Sequence, residues 1–464
     1  FDLKVDFALS NQDNVQVTLT HAKDVSQFGR PDRPTTDPFR DLKQDSTSLG
    51  VQWRRVVNAD EELKVLYAYT EDRASSPYSR VANFYNINTA STYNFDMNVD
   101  PGGKSTVTEL EFQYLISPFD KTRFMFGGAV KTLGLYSPDQ FSTTDWKRRD
   151  AYRMFGNVEL RPAKDWLFNL GASLEHDSLT GLHFDPRASI SYHLTKEQTV
   201  RLAASRAHRT PSLYEYMGRV EFKATGTTSP IDLKYLGQGV ESERLDTLEV
   251  GYLAELKAAR ASFDLRGFIE KIPNRIQILP LSLPASSPDN AEGDNIRSTL
   301  PFGRADGAIN LERVVITGYE YQIRWQPFEN TRLLYNRGLI CIDADLTDIS
   351  VVADAANNIG KISQQGRESA PVHSQSAMLM QKLPYDIQAS VMYFRNSTMR
   401  WRRNGPPLEA SERFDWRLAK SFNLGSSRAE LAYTVQMNNV SLEGRFGGLR
   451  YADKLHWLSL RLDF

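Results

Sequence analysis

The sequence predicts an all-β protein: a transmembrane antiparallel β-barrel of about 20–22 strands, with short periplasmic turns and long extracellular loops. Two observations carry this prediction. Apolar and polar residues alternate over about nineteen segments, and successive side chains of a strand point to opposite faces. The connections between segments are alternately short and long, which is the known asymmetry of outer-membrane barrels.

The last ten residues show the alternation most clearly. They read LHWLSLRLDF, and Leu458, Leu460, Leu462 and Phe464 share one face of the predicted strand. The other face holds polar or charged residues such as Ser459, Arg461 and Asp463, together with Trp457. An apolar face outward and a polar face inward suit a water-filled barrel in lipid. We therefore expect this strand to pair with the first strand and close the barrel.

The other predicted strands follow the same rule along the chain. Their approximate ranges are 1–9, 15–19, 49–53, 63–69, 110–116, 124–130, 152–160, 166–174, 188–192, 200–204, 248–252, 261–265, 319–325, 333–339, 371–382, 387–393, 414–418 and 431–437. Long segments at 23–43, 74–103, 207–243, 273–311 and 345–369 follow even-numbered strands. Single-chain bacterial barrels usually have an even number of strands. This parity predicts one further strand upstream of Phe1, together with an N-terminal plug or periplasmic domain.

Composition agrees with a single membrane domain spanning residues 1–464. The chain contains 20 Tyr, 24 Phe and 7 Trp, which suits the aromatic girdles of a barrel. The formal net charge of −1 gives no reason to expect nucleic acid as a partner. Cys341 is the single cysteine, so no disulfide can form within the chain. No glycine-rich phosphate loop, Cys-x-x-Cys pair or nucleophile elbow is present. We predict neither enzyme activity nor a cofactor, and a Ser/His/Asp group at the rim would reopen the question.

Residues 184–252 resemble TonB-dependent outer-membrane receptors. The matching segments are Phe184-Asp185-Pro186-Arg187, Arg209-Thr210-Pro211-Ser212-Leu213 with Glu215, Glu243, and Leu248-Glu249-Val250-Gly251-Tyr252. Asn438-Asn439-Val440 and the terminal Phe464 are weaker matches. The resemblance implies energised uptake of a scarce ligand, for example a metal chelate, with TonB as partner. The family's plug and TonB-binding box are not in this sequence. The alternative is a plugless export or scaffold channel with an upstream periplasmic domain and a periplasmic partner.

Candidate site residues fall into three groups. Charges predicted to face the lumen are Arg187, Glu249, Glu320 and Arg324, and aromatic candidates for ligand binding in the loops are Tyr85, Tyr93, Tyr214, Tyr216 and Tyr235. His176 and His183 flank a hairpin tip with neighbouring carboxylates and form a weak candidate for a metal site. Polar loop-tip residues without that role are far commoner.

Two basic patches complete the set. His208 lies near Arg206 and Arg209, and Trp401 lies among Arg400, Arg402 and Arg403. The first patch could contact phosphates of lipopolysaccharide or another anionic ligand, although a solvated loop is the commoner outcome. Outer-membrane lipid and lipopolysaccharide are the partners that a barrel in this location predicts.

Overall fold

The computed structural model describes residues 1–29, 37–86, 91–223, 230–282, 304–348, 350, 362–364, 366–400, 407–425, 427–438 and 454–463. Nearly all of these residues belong to β-strands. A single sheet contains 21 strands. Two of them belong to a loop, so 19 strands form the body of the sheet, as the alternation predicted.

The 19 body strands are, in order, β1 (Asp2–Ala8), β2 (Asp13–Phe28), β3 (Arg40–Asn58), β4 (Glu61–Ser75), β7 (Gly103–Phe119), β8 (Thr122–Tyr136), β9 (Lys147–Leu160), β10 (Trp166–Asp177), β11 (Gly181–Thr195), β12 (Gln198–Arg209), β15 (Glu243–Leu256), β16 (Ala261–Ser282), β17 (Arg304–Phe328), β18 (Thr331–Leu346), β19 (His373–Leu383), β20 (Ile387–Asn396), β23 (Ser411–Leu424), β24 (Ser427–Asn438) and β25 (Lys454–Asp463). The remaining elements lie in connections: β5 (Tyr78–Asn86), β6 (Ser91–Val99), α1 (Pro138–Phe141), α2 (Leu213–Met217), β13 (Arg219–Lys223), β14 (Pro230–Leu236), a 3-10 turn (Lys257–Ala259), β21 (Met399–Arg400) and β22 (Pro407–Leu408). None of the helices in the described part of the chain has the length and apolar character needed to cross a membrane.

Each body strand pairs antiparallel with the next one along the chain. The pairs β4–β7, β12–β15 and β20–β23 pass over hairpins that belong to loops. Within the described residues, β1 pairs with β2, and β25 pairs with β24. The two edge strands, β1 and β25, do not pair with each other there. The expected closure of the last strand on the first is therefore not made by β1 and β25. Phe464 lies outside the described residues.

The two faces of the sheet differ as predicted. Leu202, Leu248 and Val250 share one face of β12 and β15, and each is about half exposed at 51%, 50% and 53%. A soluble protein would bury most of such residues, so an array of them indicates a surface that faces lipid. Glu249 lies between Leu248 and Val250 and points to the opposite, inner face.

Turn lengths follow the predicted asymmetry. The connections β3–β4, β7–β8 and β17–β18 consist of two residues each, at 59–60, 120–121 and 329–330. Lys121 takes the left-handed conformation with φ 67°, which lets this tight hairpin reverse. The long connections all leave the opposite end of the sheet.

Two predicted loops contain more sheet than expected. β16 and β17 continue their pairing up to Ser282↔Arg304, although the sequence predicted a loop over 273–311. The register shifts between Ile272 and Ile276, and beyond this irregularity the strands resume regular pairing. A bulge interrupts the alternation of apolar and polar residues. The extension of β16 and β17 beyond Ile276 was therefore not predicted from the sequence. The predicted loop 74–103 likewise contains the hairpin β5–β6.

Candidate functional site: a charged lumen under an extracellular cap

Ion pairs line the inner face of the sheet. Glu249 accepts hydrogen bonds from Arg201 at 3.0 Å and from Arg266 at 2.7 Å. Arg266 also lies 3.8 Å from Glu320, so two of the four predicted lumen charges meet through this arginine. Arg187 instead contacts the side-chain oxygen of Asn157 at 3.4 Å. Opposite charges thus pair between neighbouring strands on the inner face, and the partners of Glu249 are arginines that the sequence did not single out.

The same arrangement recurs on distant strands. Arg153 donates to Glu111 at 2.9 Å between β9 and β7, and Arg417 donates to Glu430 at 2.6 Å between β23 and β24. Arg324 lies on the inner face of β17, four residues from Glu320 toward the short-turn end. Buried or partly buried charges need partners, and these arginines and carboxylates supply them for each other. The inner face is therefore polar, in contrast to the apolar outer face.

A folded segment that we call the cap covers one sector of the extracellular end. It comprises α2, β13 and β14, that is, the described residues of 210–242. Helix α2 begins with a capping box: the Ser212 hydroxyl accepts from the Glu215 amide at 3.1 Å, and Glu215 accepts from the Ser212 amide at 2.8 Å. Arg209 bridges Glu215 at 3.0 Å and Glu243 at 2.7 Å. Arg209 thus connects α2, at the start of the cap, to β15, the strand that follows the cap.

The pH response of the cap follows from Glu215. Burial acts to raise the pKa of this carboxyl, but hydrogen bonds from Arg209 and Ser212 outweigh it and hold the pKa below its usual range. A carboxyl whose folded pKa is lowered adds stability above its unfolded pKa and loses it as the pH falls through the folded value. The contribution of Glu215 is thus complete above about pH 5 and disappears at lower pH.

We predict that the cap loosens selectively in acid. Hydrogen–deuterium exchange of peptides covering 210–223, corrected for the intrinsic pH dependence of exchange, should rise between pH 5 and pH 3. Glu215→Gln should show the raised exchange already at pH 7. A cap protected equally at pH 7 and pH 3 would contradict the assignment.

A buried ion pair anchors the cap from below. Asp177 ends β10, has no solvent exposure, and pairs with the Arg149 guanidinium of β9. Arg149 also donates to the hydroxyl of Thr210 and lies 3.5 Å from the carbonyl of Pro211. Asp177 in turn accepts from the amide of Leu179 at 2.9 Å. One carboxylate therefore organises both the β10–β11 tip and the first residues of the cap.

Histidines, a serine and a threonine fill the space beside this pair. His183 Nε2 lies 2.8 Å from Thr180 Oγ1 and 3.1 Å from Ser242 Oγ, and His208 Nδ1 lies 2.5 Å from Asp185. This is the Ser/His/Asp grouping that would have reopened the question of an enzyme. However, Ser242 is 5% exposed and its hydroxyl donates to Thr180. The group joins the tip to the cap and offers no open nucleophile.

The predicted metal pair is not assembled. His176 lies on the outer face of β10 opposite Leu182, whereas His183 lies on the inner face opposite Glu175. The two imidazoles are separated by the sheet because a three-residue turn gives them opposite parity. Among the described residues, no group of three or more His, Cys, Asp or Glu side chains could hold a metal ion.

The tyrosines of the cap divide into packed and accessible ones. Tyr214 and Tyr235 stack with ring centroids 4.1 Å apart, and Tyr235 is 3% exposed against Val240, Ile276 and Ala308. The structure thus assigns Tyr235 to the core of the cap, and a buried ring cannot meet an incoming ligand. Tyr216 remains partly exposed. Tyr85 and Tyr93 lie on β5 and β6, and their side chains fall outside the described part of the structure.

A second segment, which we call the latch, is formed by the described residues of 362–369. It closes over a buried pair in which Arg275 donates to Glu312 at 2.6 Å, and Glu312 has no solvent exposure. Arg367 reaches Asp345 at 2.5 Å, and Arg400 donates to Glu368 at 2.9 Å. Of the predicted patch around Trp401, only Arg400 is described, and it anchors the latch.

Gly366 brings the latch close to the buried pair. A Cβ atom built there would clash with Glu312 Oε1 and would lie 2.7 Å from the Ala344 methyl. We predict that Gly366→Ala displaces the latch and raises proteolysis within 362–369, without lowering the amount of protein in the membrane. The matched control is Gly338→Ala, whose added methyl would meet only Glu320 Cγ at 3.7 Å. Equal proteolysis of both variants would contradict the contact.

Several residues that hold the cap and the latch in place were not predicted from the sequence. Arg149, Arg275 and Glu312 are single charged residues in alternating strands, and nothing local distinguishes them from solvated lumen residues. Their signal is long-range, because their partners lie 28 to 62 residues away. By contrast, Arg209, Glu215 and Glu243 all belong to the segments that resemble the receptor family, although the ion pairs among them were not predicted.

Comparison with known proteins identifies the family. The family profile described as "TonB dependent receptor-like, beta-barrel" matches residues 3–452. A comparison with curated protein sequences found no significant match. Similar solved structures include the ferric-catecholate import receptor Fiu of Escherichia coli K12, with 10% identity, a TM-score of 0.64, and coverage of 98% of this chain and 74% of that one.

Two other receptors are similar. The siderophore receptor PirA of Acinetobacter baumannii has 10% identity, a TM-score of 0.64, and coverage of 93% of this chain and 65% of that one. A mutant of the ferric enterobactin receptor PfeA of Pseudomonas aeruginosa has 11% identity, a TM-score of 0.59, and coverage of 94% and 71%. This chain thus spans about two thirds to three quarters of their lengths. With a profile match over almost its whole length, the chain belongs to the TonB-dependent receptor β-barrel family.

Proposed function

We propose that this protein imports a scarce ligand across the outer membrane, with energy supplied through TonB. The observation that carries the proposal is the inner face: ion pairs from β7 to β24 line a polar passage, while the outer face is apolar. Membership of the receptor family supports the same direction of transport. The contacts of the cap support a gated entrance. They hold the cap against the β10–β11 tip, β9 and β15, so that it stays over the extracellular end.

We further propose that the ligand is an iron chelate. The support is the set of similar receptors, whose names give ferric enterobactin, ferric catecholates and alcaligin as their cargo. The lumen offers arginines such as Arg201 and Arg266 that could meet an anionic chelate. Among the candidates whose side chains are described, partly exposed Tyr216 at the cap is one that an incoming ligand could contact first.

The sheet edges lead to a proposal about closure. β1 and β25 each have one unpaired side within the described residues. Unpaired strand edges are not stable in lipid, since their backbone groups lack partners. We propose that an odd number of additional strands of the same protein joins β25 to β1, and that a plug outside this sequence fills the lumen. A barrel wide enough for these strands needs such a plug.

Ligand binding by the full-length protein tests the proposal. Protein purified from outer membranes in detergent is titrated with ferric enterobactin and with ferric alcaligin, and tryptophan fluorescence is followed. We expect saturable quenching with a Kd below about 1 μM for at least one of the two chelates. The iron-free chelators serve as controls. Absence of saturable quenching with both ferric complexes would contradict an iron-chelate receptor of these classes.

A further inference from the structure

Arg324 stands apart from the ion pairs of the inner face. Glu249 holds two arginines, and Glu320 shares one of them. Within the part of the chain that the structure describes, by contrast, Arg324 and the nearby Arg332 form no ion pair and no side-chain hydrogen bond. Both side chains are exposed. Their guanidinium groups are therefore open to a ligand.

The two arginines border a pocket of about 390 Å³ at the short-turn end of the sheet. Lys257 and Arg260, from the short connection between β15 and β16, complete a rim of four cations. Among the described residues that line the pocket, Glu255 is the only carboxylate. Glu329 lies 4.0 Å from Arg260 and offsets part of its charge. The balance stays positive, which favours an anionic ligand.

The floor of this pocket is apolar, although it belongs to the polar inner face. Leu334 pairs with Arg324, and Met378 pairs with Leu334 on the next strand. Met380 pairs with Arg332. Directly opposed residues of neighbouring strands have Cβ atoms about 5 Å apart, so the leucine and the two methionines form one continuous surface. This surface lies beside the two open guanidiniums.

Arginines beside methionines suit an aromatic anion. A guanidinium can stack on the face of a ring and donate to oxygens at its edge, and a methionine sulfur makes favourable contacts with aromatic rings. A small inorganic anion would use the charges and leave the apolar floor unused. The volume of the pocket lies within the range of small-molecule sites, roughly 300–1,000 Å³. The pocket can therefore hold one or two aromatic rings with their oxygens.

We propose that this pocket, which we call the exit site, binds a ferric catecholate as it leaves the lumen. The inference rests on the proposed function and deepens it, because a negatively charged, ring-bearing chelate matches the pocket. Arg324 and Arg332 donate to the catecholate oxygens, while the rings lie against Met378 and Met380. The site lies at the end of the sheet opposite the cap. A chelate held there has already passed the lumen, so binding opposes its return.

Photolabelling tests the pocket without relying on transport. Full-length protein in detergent is irradiated with 4-azidosalicylate, an aromatic anion, and the labelled peptides are identified by mass spectrometry. We expect label in peptides covering 324–334 and 373–383, and about tenfold less of it in R324Q/R332Q, because each arginine supplies charge-assisted hydrogen bonds. Excess ferric enterobactin should suppress the label. Equal labelling of these peptides in the variant and the wild type would overturn the site.

Transport kinetics test the role of the pocket in uptake. Cells producing the full-length protein are supplied with radioactive ferric enterobactin, and initial rates are measured. In R324Q/R332Q we expect the maximal rate to fall about tenfold, while the Kd for chelate at the cell surface stays within about twofold of the wild type. The matched control K164Q/K196Q removes two exposed cations from short turns at the same end. It should transport at nearly the wild-type rate.

The outcomes separate the exit site from the proposed function. An unchanged maximal rate in R324Q/R332Q would overturn the exit site. A weaker Kd at the cell surface together with a lower Tm would also overturn it and would assign the pocket to contacts with the plug. A wild type that binds no ferric chelate would contradict the proposed function and the catecholate assignment. Photolabelling would then still decide whether the pocket accepts aromatic anions.

Discussion

Asp177→Ala is expected to release the cap from the hairpin tip beneath it. The substitution leaves the Arg149 guanidinium with its cap contacts but without a countercharge in a site where Asp177 had no solvent exposure. Breaking a buried ion pair by removing one partner costs about 3–5 kcal/mol. We expect this loss to appear as local unfolding, with strongly raised hydrogen exchange in peptides covering 210–223 and 230–242.

The control for this prediction is Asp150→Ala. Asp150 also belongs to β9 and pairs with an arginine, but the side chain of its partner Arg148 is 67% exposed. An exposed pair contributes little, so cap exchange should stay near the wild-type level. Comparable exchange in both variants would mean that the buried pair does not hold the cap.

Glu312→Ala is expected to produce the second large effect, at the latch. Arg275 would keep a largely buried guanidinium, with 12% of its side chain exposed, and lose the carboxylate that neutralises it. The expected cost is again about 3–5 kcal/mol. Limited proteolysis within 362–369 and exchange at the extended ends of β16 and β17 should both increase.

Two further variants sharpen this test. Asp343→Ala removes an exposed partner of the latch residue Arg367, 3.5 Å away, and should have a small effect. The double variant Arg275→Met/Glu312→Leu replaces the buried pair by apolar side chains and should recover much of the lost protection. No recovery in the double variant would show that the latch depends on the charges themselves rather than on filling the buried space.

The strands were predictable because a lipid-facing surface imposes a strict period of two. Leu248, Glu249 and Val250 already identify both faces of β15, and the same logic locates the body strands. The upper parts of β16 and β17 were not predictable, since the irregularity between Ile272 and Ile276 interrupts the period. The same period of two places His176 and His183 on opposite faces of the sheet. This conclusion requires knowing that the turn between their strands contains three residues.

The site was predictable only in part, because its contacts depend on register between distant strands. The motif from Arg209 to Glu215 and Glu243 were noted from the sequence only as a family resemblance, and the capping box and the ion pairs among them emerged from the structure. Tyr235 was expected to bind ligand, yet it packs in the core of the cap, since aromatic residues in a folded loop serve packing as readily as recognition. The pair of Arg149 and Asp177 requires β9 and β10 to be aligned, which no local pattern reveals.

Energised uptake is the central claim, and transport by living cells tests it most directly. Cells producing the full-length protein as their only receptor for iron chelates are supplied with radioactive ferric enterobactin or ferric alcaligin, with TonB present or deleted. We predict accumulation of iron that requires both this protein and TonB. Uptake that continues unchanged without TonB would contradict the account and favour an open channel.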